Sequence, residues 1–198
     1  MGFFSLLVLV TFSFAFTPGS PSMVEGAAGI YWVAVIFSGL LGLTRSFTQE
    51  QANDCMLGIL LAPADRSAIY LGKMLGNLVT MLALQVVLLP LFAILLNVPL
   101  FEALPGILVP VVLGTFGFAT IGTLFSAMSV NTRLKEAMLP MLTLPILVPM
   151  LLASVETFKA MLSGGMLAAS MDWLRIGVAF CGIFLVFCLW LFEYVVEE

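Results

Sequence analysis

The chain has 198 residues, of which 62% are hydrophobic and only 9% are charged. Because soluble domains carry about 25% charged residues, this composition predicts a single integral membrane domain over residues 1–198, with no separate soluble catalytic domain. The net charge of −4 is small, and no basic tract indicates nucleic acid as a partner. Histidine, the commonest metal ligand and acid–base group, does not occur.

The chain begins with two apolar segments separated by a turn-rich loop. Residues 3–16 are shorter than the about 20 residues needed to cross a bilayer, and we interpret them as the outer part of a first span whose beginning is missing. The loop at 17–26 contains two prolines. Residues 27–44 form a second span, with the amphipathic rings of Tyr31 and Trp32 expected at the membrane interface.

The most polar stretch of the chain is residues 45–73, which hold six of its 18 charged residues (7 basic and 11 acidic). Glu50 and Asp54 are four positions apart and therefore share one face of a predicted helix. Pro63 cannot continue that helix, and Asp65 is a suitable N-cap for a second helix that runs into the third span. This pattern predicts a helix, an elbow and a second helix lying against the membrane surface; an ordinary solvated loop is the alternative.

Four more apolar spans follow, at residues 74–96, 106–129, 137–154 and 173–192. Pro90 is expected to kink the third span, glycines in the fourth predict close helix packing, and three prolines predict that the fifth is bent. Residues 155–172 are half apolar and interrupted by Ser-Gly-Gly, which predicts two short interfacial or re-entrant helices hinged at the two glycines.

Basic residues indicate the orientation of the six predicted spans. The side that carries 45–73, 130–136 and both termini has five basic residues against two on the other side. The positive-inside rule then predicts that this side is cytoplasmic. The spans contain no Walker A sequence and no ionisable residue of the kind that marks an ion pathway, so energy for uphill transport would have to come from a partner.

Three runs of sequence carry a resemblance to a known family: AGIYWVAVIFSGLLGLTRSF, LLAPADRSAIYLGK and RLKEAMLPMLTLPILVPMLLA. They resemble the B-type permease of the cytochrome c maturation haem exporter. The wider superfamily of ABC-2 exporters shares a looser outline, which is matched here by Glu50, Leu60, Leu61, Pro63, Gly72 and Lys73. Members of the family usually begin with a basic amphipathic helix, from which this chain departs.

The resemblance implies an all-α integral membrane protein with six transmembrane helices, an ABC-2-like permease with a cytoplasmic coupling helix. It also implies a separate ABC ATPase subunit that hydrolyses ATP, a haem-handling membrane subunit, a small single-span subunit and a periplasmic haem chaperone. The complex would use ATP to export haem or to release the haem-loaded chaperone into the periplasm. Haem would be the cargo of the complex, and this chain would be neither an enzyme nor the holder of a cofactor. Its place would be the bacterial inner membrane with both termini cytoplasmic, and two copies per complex are one possibility.

The same resemblance implies which residues face the ATPase. The main candidates for the coupling surface all lie in the central polar stretch: Glu50, Asp54, Pro63, Asp65 and Arg66. Arg133 and Lys135 are secondary candidates on the same face. Two other functions stay open at this point: an ABC-2 permease for a lipid, glycan or drug, and a membrane scaffold that transports nothing. Stimulation of the ATPase by one particular substrate would separate them.

Overall fold

The structure is a computed structural model that describes residues 2–17, 19–52, 65–98, 100–129, 135–165 and 170–195. Within these ranges the chain forms six helices: α1 (Gly2–Ala15), α2 (Pro21–Ala52), α3 (Arg66–Leu96), α4 (Leu100–Ser129), α5 (Lys135–Leu162) and α6 (Met171–Val195). Five of the helices, α2 to α6, are long and apolar enough to cross a membrane. The 14 residues of α1 are fewer than the about 20 that a complete crossing needs. The predicted all-helical membrane fold is therefore confirmed, with α1 as a shorter apolar helix beside five long ones.

The start of α2 shows why the predicted loop at 17–26 is too long. Pro21 occupies the first helical position, where its missing N–H costs nothing, and its fixed φ suits a helix. Ser20 precedes it, and the Ser20 Oγ accepts a hydrogen bond from the Met23 N–H at 3.3 Å. This is the arrangement of an N-cap serine, so residues 21–26 belong to the helix.

The link between α3 and α4 is also shorter than the loop predicted at 97–105, because α4 already begins at Leu100. Asn97 ends α3 in the left-handed conformation (φ 50°), which asparagine tolerates, and its N–H bonds the Ala93 carbonyl. The Gly19 N–H donates to the Leu96 carbonyl at 3.1 Å. The α1–α2 and α3–α4 links therefore lie side by side at the same end of the helices.

The end of α5 corrects the prediction for residues 155–172. Residues 155–162 continue α5 without a break instead of forming a separate interfacial helix. The helix stops at Gly164 (φ 74°), where the Gly164 N–H bonds the Met161 carbonyl and the Gly165 N–H bonds the Ala160 carbonyl. This pair of hydrogen bonds is the Schellman motif, so the glycines end one long helix rather than hinge two short ones. Residues 166–169 lie outside the described residues.

The helices α2 and α4 form the centre of the molecule. In the most apolar part of each, 72% of the residues are buried, against 33% in α3 and α5 and 22% in α6. The predicted small-residue face of α4 is confirmed by its contacts with α2: Gly114 lies against the Trp32 ring, and Gly122 against the Leu43 side chain. Because glycine has no side chain, the two backbones can approach closely at these points.

An aromatic cluster fills the interior near the start of α2. The Tyr31 ring stacks on Phe158 of α5 with 5.0 Å between centroids and meets Phe92 of α3 edge-on at 5.4 Å. Trp32 packs edge-on against Tyr31 at 5.9 Å. Both Tyr31 and Trp32 are buried, with at most 2% of their surface exposed. The prediction that these rings face the membrane interface is therefore wrong, because α2 is an inner helix at this level.

The least buried of the five long helices, α6, exposes large apolar side chains along most of its length. Among them are Trp173 and Trp190, which are 17 positions apart and so about 26 Å apart along the helix axis. This spacing is close to the roughly 30 Å of hydrocarbon in a bilayer, and tryptophan favours both of its boundaries. At the Trp173 end, the exposed Asp172 and Arg175 form an ion pair at 3.1 Å.

Candidate functional site

The predicted coupling segment, residues 45–73, is described at its two ends. Residues 45–52 are the last turns of α2, so the first arm of the segment continues the second span. Residues 66–73 are the first two turns of α3, so the second arm continues into the third span. The part between them, at 53–64, lies outside the described residues.

The predicted ATPase-facing residues fall on both sides of that boundary. Asp54, Pro63 and Arg133 lie outside the described residues. Glu50 is in the last turn of α2 and Lys135 is the first residue of α5, but neither side chain is described. The acidic face shared by Glu50 and Asp54 therefore stays a prediction, as does its proximity to the basic pair.

Asp65 and Arg66 mark the start of α3, as predicted. Asp65 has an extended backbone (φ −61°, ψ 136°), and its carbonyl accepts the N–H groups of Ala68 at 2.9 Å and Ile69 at 3.2 Å. The Asp65 side chain is exposed and makes no capping hydrogen bond. The position of the helix start is confirmed, whereas the predicted side-chain cap is wrong: the backbone alone begins the helix. Arg66 is half-buried.

From this start, α3 packs along α4 through buried polar contacts. The Tyr70 hydroxyl donates a hydrogen bond to the Thr120 carbonyl at 2.8 Å. The Thr120 hydroxyl lies 3.4 Å from the Met74 sulfur and also bonds the Phe116 carbonyl at 2.8 Å. Tyr70, Met74 and Thr120 are buried, so each contact is shielded from both water and lipid.

Two amide side chains extend these contacts along α3. The Asn77 Nδ2 donates to the Thr123 Oγ1 at 2.9 Å, and the Gln85 Nε2 donates to the Thr115 Oγ1 at 2.7 Å. Thr115 in turn donates to the Val111 carbonyl at 2.6 Å. We call the whole set the α3–α4 seam: Tyr70, Met74, Asn77 and Gln85 of α3 with Thr115, Thr120 and Thr123 of α4.

The sequence contains a pattern that indicates the α3–α4 seam, although the segments that carry it are mostly apolar. Positions 70, 74, 77 and 85 share one face of a helix, since neighbours on a face recur every three or four residues. Three threonines on α4 supply the opposite side. In the sequence, Gln85 is a single polar residue within an apolar span. Only the packing of α3 against α4 shows that its side chain has a hydrogen-bond partner, Thr115.

The seam can fix the register of two helices, but its groups are unsuited to acid–base chemistry near neutral pH. It consists of amides, hydroxyls and one thioether, and the fully buried polar side chains elsewhere in the described ranges are hydroxyls too. Among the described residues there is no group of three or more metal-ligating side chains. The arrangement can therefore hold α3 and α4 in one register.

Comparison with known proteins identifies the family. The family model described as CcmB protein matches residues 1–192. The chain is 30% identical over 156 residues to heme exporter protein B of Rhodobacter capsulatus, covering 79% of this chain and 71% of that protein. It is 29% identical over 172 residues to heme exporter protein B of Pseudomonas aeruginosa, covering 86% and 76% of the two chains. Heme exporter protein B of Paracoccus denitrificans is 30% identical over 157 residues, which cover 79% of this chain and 71% of that protein. The chain belongs to the CcmB protein family.

Proposed function

We propose that this chain is the membrane permease subunit of a system that delivers haem for cytochrome c maturation, and that a separate chain hydrolyses the ATP. The observation that carries the proposal is the family match over residues 1–192, nearly the whole membrane domain. The relatives named heme exporter protein B support haem as the cargo of the complex. The five long apolar helices support a role inside the membrane.

The ATPase subunit docks on the segment at 45–73, with Arg133 and Lys135 beside it. The helices at both arms of this segment support the arrangement. The first arm is the end of α2, and the second arm is the start of α3. A force applied between the arms reaches two long helices directly. No flexible linker separates Arg66 from the rest of α3, because the helix is unbroken to Leu96.

The protein lies in the bacterial inner membrane with both termini and residues 45–73 in the cytoplasm. The asymmetry of five basic residues against two supports this orientation. The contact between the α1–α2 and α3–α4 links supports alternating crossings, with both links outside. On that outer side the partners are a haem-handling membrane subunit and a periplasmic haem chaperone, and a small single-span subunit completes the complex.

A complementation experiment tests the proposed function. A strain that lacks this chain is expected to release no haem-loaded chaperone and to make no c-type cytochromes, and the full-length chain restores both. In the purified complex, ATP turnover by the ATPase subunit is expected to depend on this chain and on the haem-loaded chaperone. Stimulation by a lipid, glycan or drug in a strain with normal cytochromes would instead identify a permease for another cargo. Assembly without any effect on ATP turnover would indicate a scaffold.

A further inference from the structure

We infer that α3 and α4 move as one rigid body during the transport cycle, held together by the α3–α4 seam, and slide against α2 and α5. The inference rests on the proposed function, because it describes how the ATPase subunit would move this membrane domain. It assigns a mechanical role to the seam, all of whose residues except Tyr70 lie beyond the segment at 45–73 on which the ATPase subunit docks.

The first argument is that the seam fixes α3 on α4 at separate points. The hydrogen bonds of Tyr70 and Gln85 are 15 positions apart, hence about 22 Å apart along α3. A hydrogen bond weakens steeply when its distance or angle changes, so each one sets a position along the helix. Two such points, with Asn77 between them, oppose both sliding and rotation of α3 on α4.

The second argument is that, at the described contacts with α2 and α5, α4 meets its neighbours through apolar side chains without such directional requirements. Gly122 lies against Leu43 of α2, and the Cγ of Met150 in α5 is 3.0 Å from where a side chain on Gly117 would begin. Dispersion contacts of this kind are individually weak and do not depend on angle. A small shift of α4 along these surfaces exchanges one apolar contact for another.

The input to this movement is the coupling segment, whose second arm is the start of α3. A push on Arg66 moves α3 as a unit, because the helix continues to Leu96. The seam passes the movement to α4, which is one of the two innermost helices. The ATPase subunit can thereby change the centre of the membrane domain without touching it.

Two pairs of cysteines, one across each side of α4, test the inference in the assembled complex. The background replaces the chain's own cysteines, Cys55, Cys181 and Cys188, by alanine. The seam pair is Asn77→Cys with Thr123→Cys, whose side chains are in hydrogen-bond contact. The matched control pair, Leu43→Cys with Gly122→Cys, joins α2 to α4 where the Leu43 side chain lies against Gly122.

The two cross-links are expected to have opposite effects. Oxidation of the seam pair leaves haem delivery within twofold of the reduced complex, because it joins helices that already move together. Oxidation of the α2–α4 pair lowers delivery at least fivefold, and a reductant restores it. Loss of delivery on oxidation of the seam pair would overturn the inference. So would full activity with α2 and α4 joined.

A second measurement separates this inference from the proposed function. The rate of cross-linking is followed in the complex without nucleotide and with ATP bound. The seam pair is expected to react at the same rate in both states, while the rate of the α2–α4 pair changes. A nucleotide-dependent seam rate, or an unchanged α2–α4 rate, contradicts the inference whatever the cargo is. If the rates behave as expected but the wild-type complex delivers no haem, only the cargo in the proposed function is wrong.

Discussion

Gly114 lies where α4 crosses α2, and a methyl group at this position would collide with the Trp32 ring and lie 2.7 Å from the Ser154 hydroxyl. Trp32 itself is buried, so its rigid ring has little room to withdraw. Gly114→Ala is therefore expected to lower the free energy of unfolding by about 1–3 kcal/mol, the usual cost of overpacking. The measurement is the thermal unfolding of the purified protein in detergent.

Gly182→Ala in α6 is the matched control, because nothing lies within 4 Å of the position that its methyl group would take. In a helix, alanine is favoured over glycine by up to about 1 kcal/mol. The melting temperature of this variant is expected to stay unchanged or to rise. A loss of stability equal to that of Gly114→Ala would show that the close contact with Trp32 is not the cause.

Tyr31 and Trp32 show what single residues do and do not reveal in a sequence. Their aromatic character and their place near the start of a span are the same for an interfacial ring and for a core ring. The deciding fact is that Phe92 and Phe158 approach from two other helices. That fact depends on the arrangement of α2, α3 and α5, which no local pattern contains.

At the scale of elements, the apolar segments predict which helices exist better than where they end. Hydropathy detects only the part of a helix that lies in lipid, whereas the helix itself continues until a cap or a break in backbone conformation. Thus α2 begins at Pro21 behind Ser20, and α5 continues to Leu162 before Gly164 turns the chain. The seam could not be predicted from local patterns either, because its hydrogen bonds join residues 30 or more positions apart in the sequence.

The coupling segment supports a prediction about the acidic face that the sequence predicts for Glu50 and Asp54. Reversing both acidic charges of that face, with Glu50→Lys and Asp54→Lys, is expected to leave membrane insertion normal, because charges in water contribute only about 0–1 kcal/mol to stability. Binding of the ATPase subunit, or coupling of its turnover to haem delivery, is expected to be lost. The measurements are a pull-down of the co-expressed complex and its ATPase activity.

The control for this double variant changes the same amount of charge at the other end of the helices. Glu25 and Asp172 are exposed near the starts of α2 and α6, and we expect both on the outer side. Glu25→Lys with Asp172→Lys is expected to bind the ATPase subunit and to turn over ATP at the wild-type rate. Normal assembly and turnover in the Glu50 and Asp54 variant would exclude this face as the coupling surface and would favour a scaffold.

The topology of the whole molecule can be measured with two exposed serines. Ser163 follows the end of α5 and Ser67 lies in the first turn of α3, and both side chains are exposed. In a background without other cysteines, Ser163→Cys in whole cells is expected to react with an impermeant thiol reagent, whereas Ser67→Cys is not. The reason is that five of the seven basic residues lie on the Ser67 side. If Ser67→Cys were labelled and Ser163→Cys were not, the protein would have the opposite orientation in the membrane.

The way the whole molecule packs also determines what the isolated subunit can do with haem. Without histidine, the chain would have to bind haem iron through methionine, tyrosine or cysteine. The buried methionines are packing residues in this structure: Met81 fills the space at Gly39, Met161 at Gly106 and Met150 at Gly117. Methionine suits such irregular gaps because its side chain is flexible. Withdrawing one of them to ligate iron would leave a cavity between two helices.

The purified subunit alone is therefore expected to bind no stoichiometric haem, whereas the complete complex with its haem-handling partner retains haem. The measurement is a haem titration followed by absorption spectroscopy on both preparations in the same detergent. The spectrum of the subunit should match that of free haem in detergent micelles at every ratio. A low-spin haem spectrum from the subunit alone, lost on substitution of a single methionine by leucine, would contradict the prediction and would identify that methionine as an axial ligand.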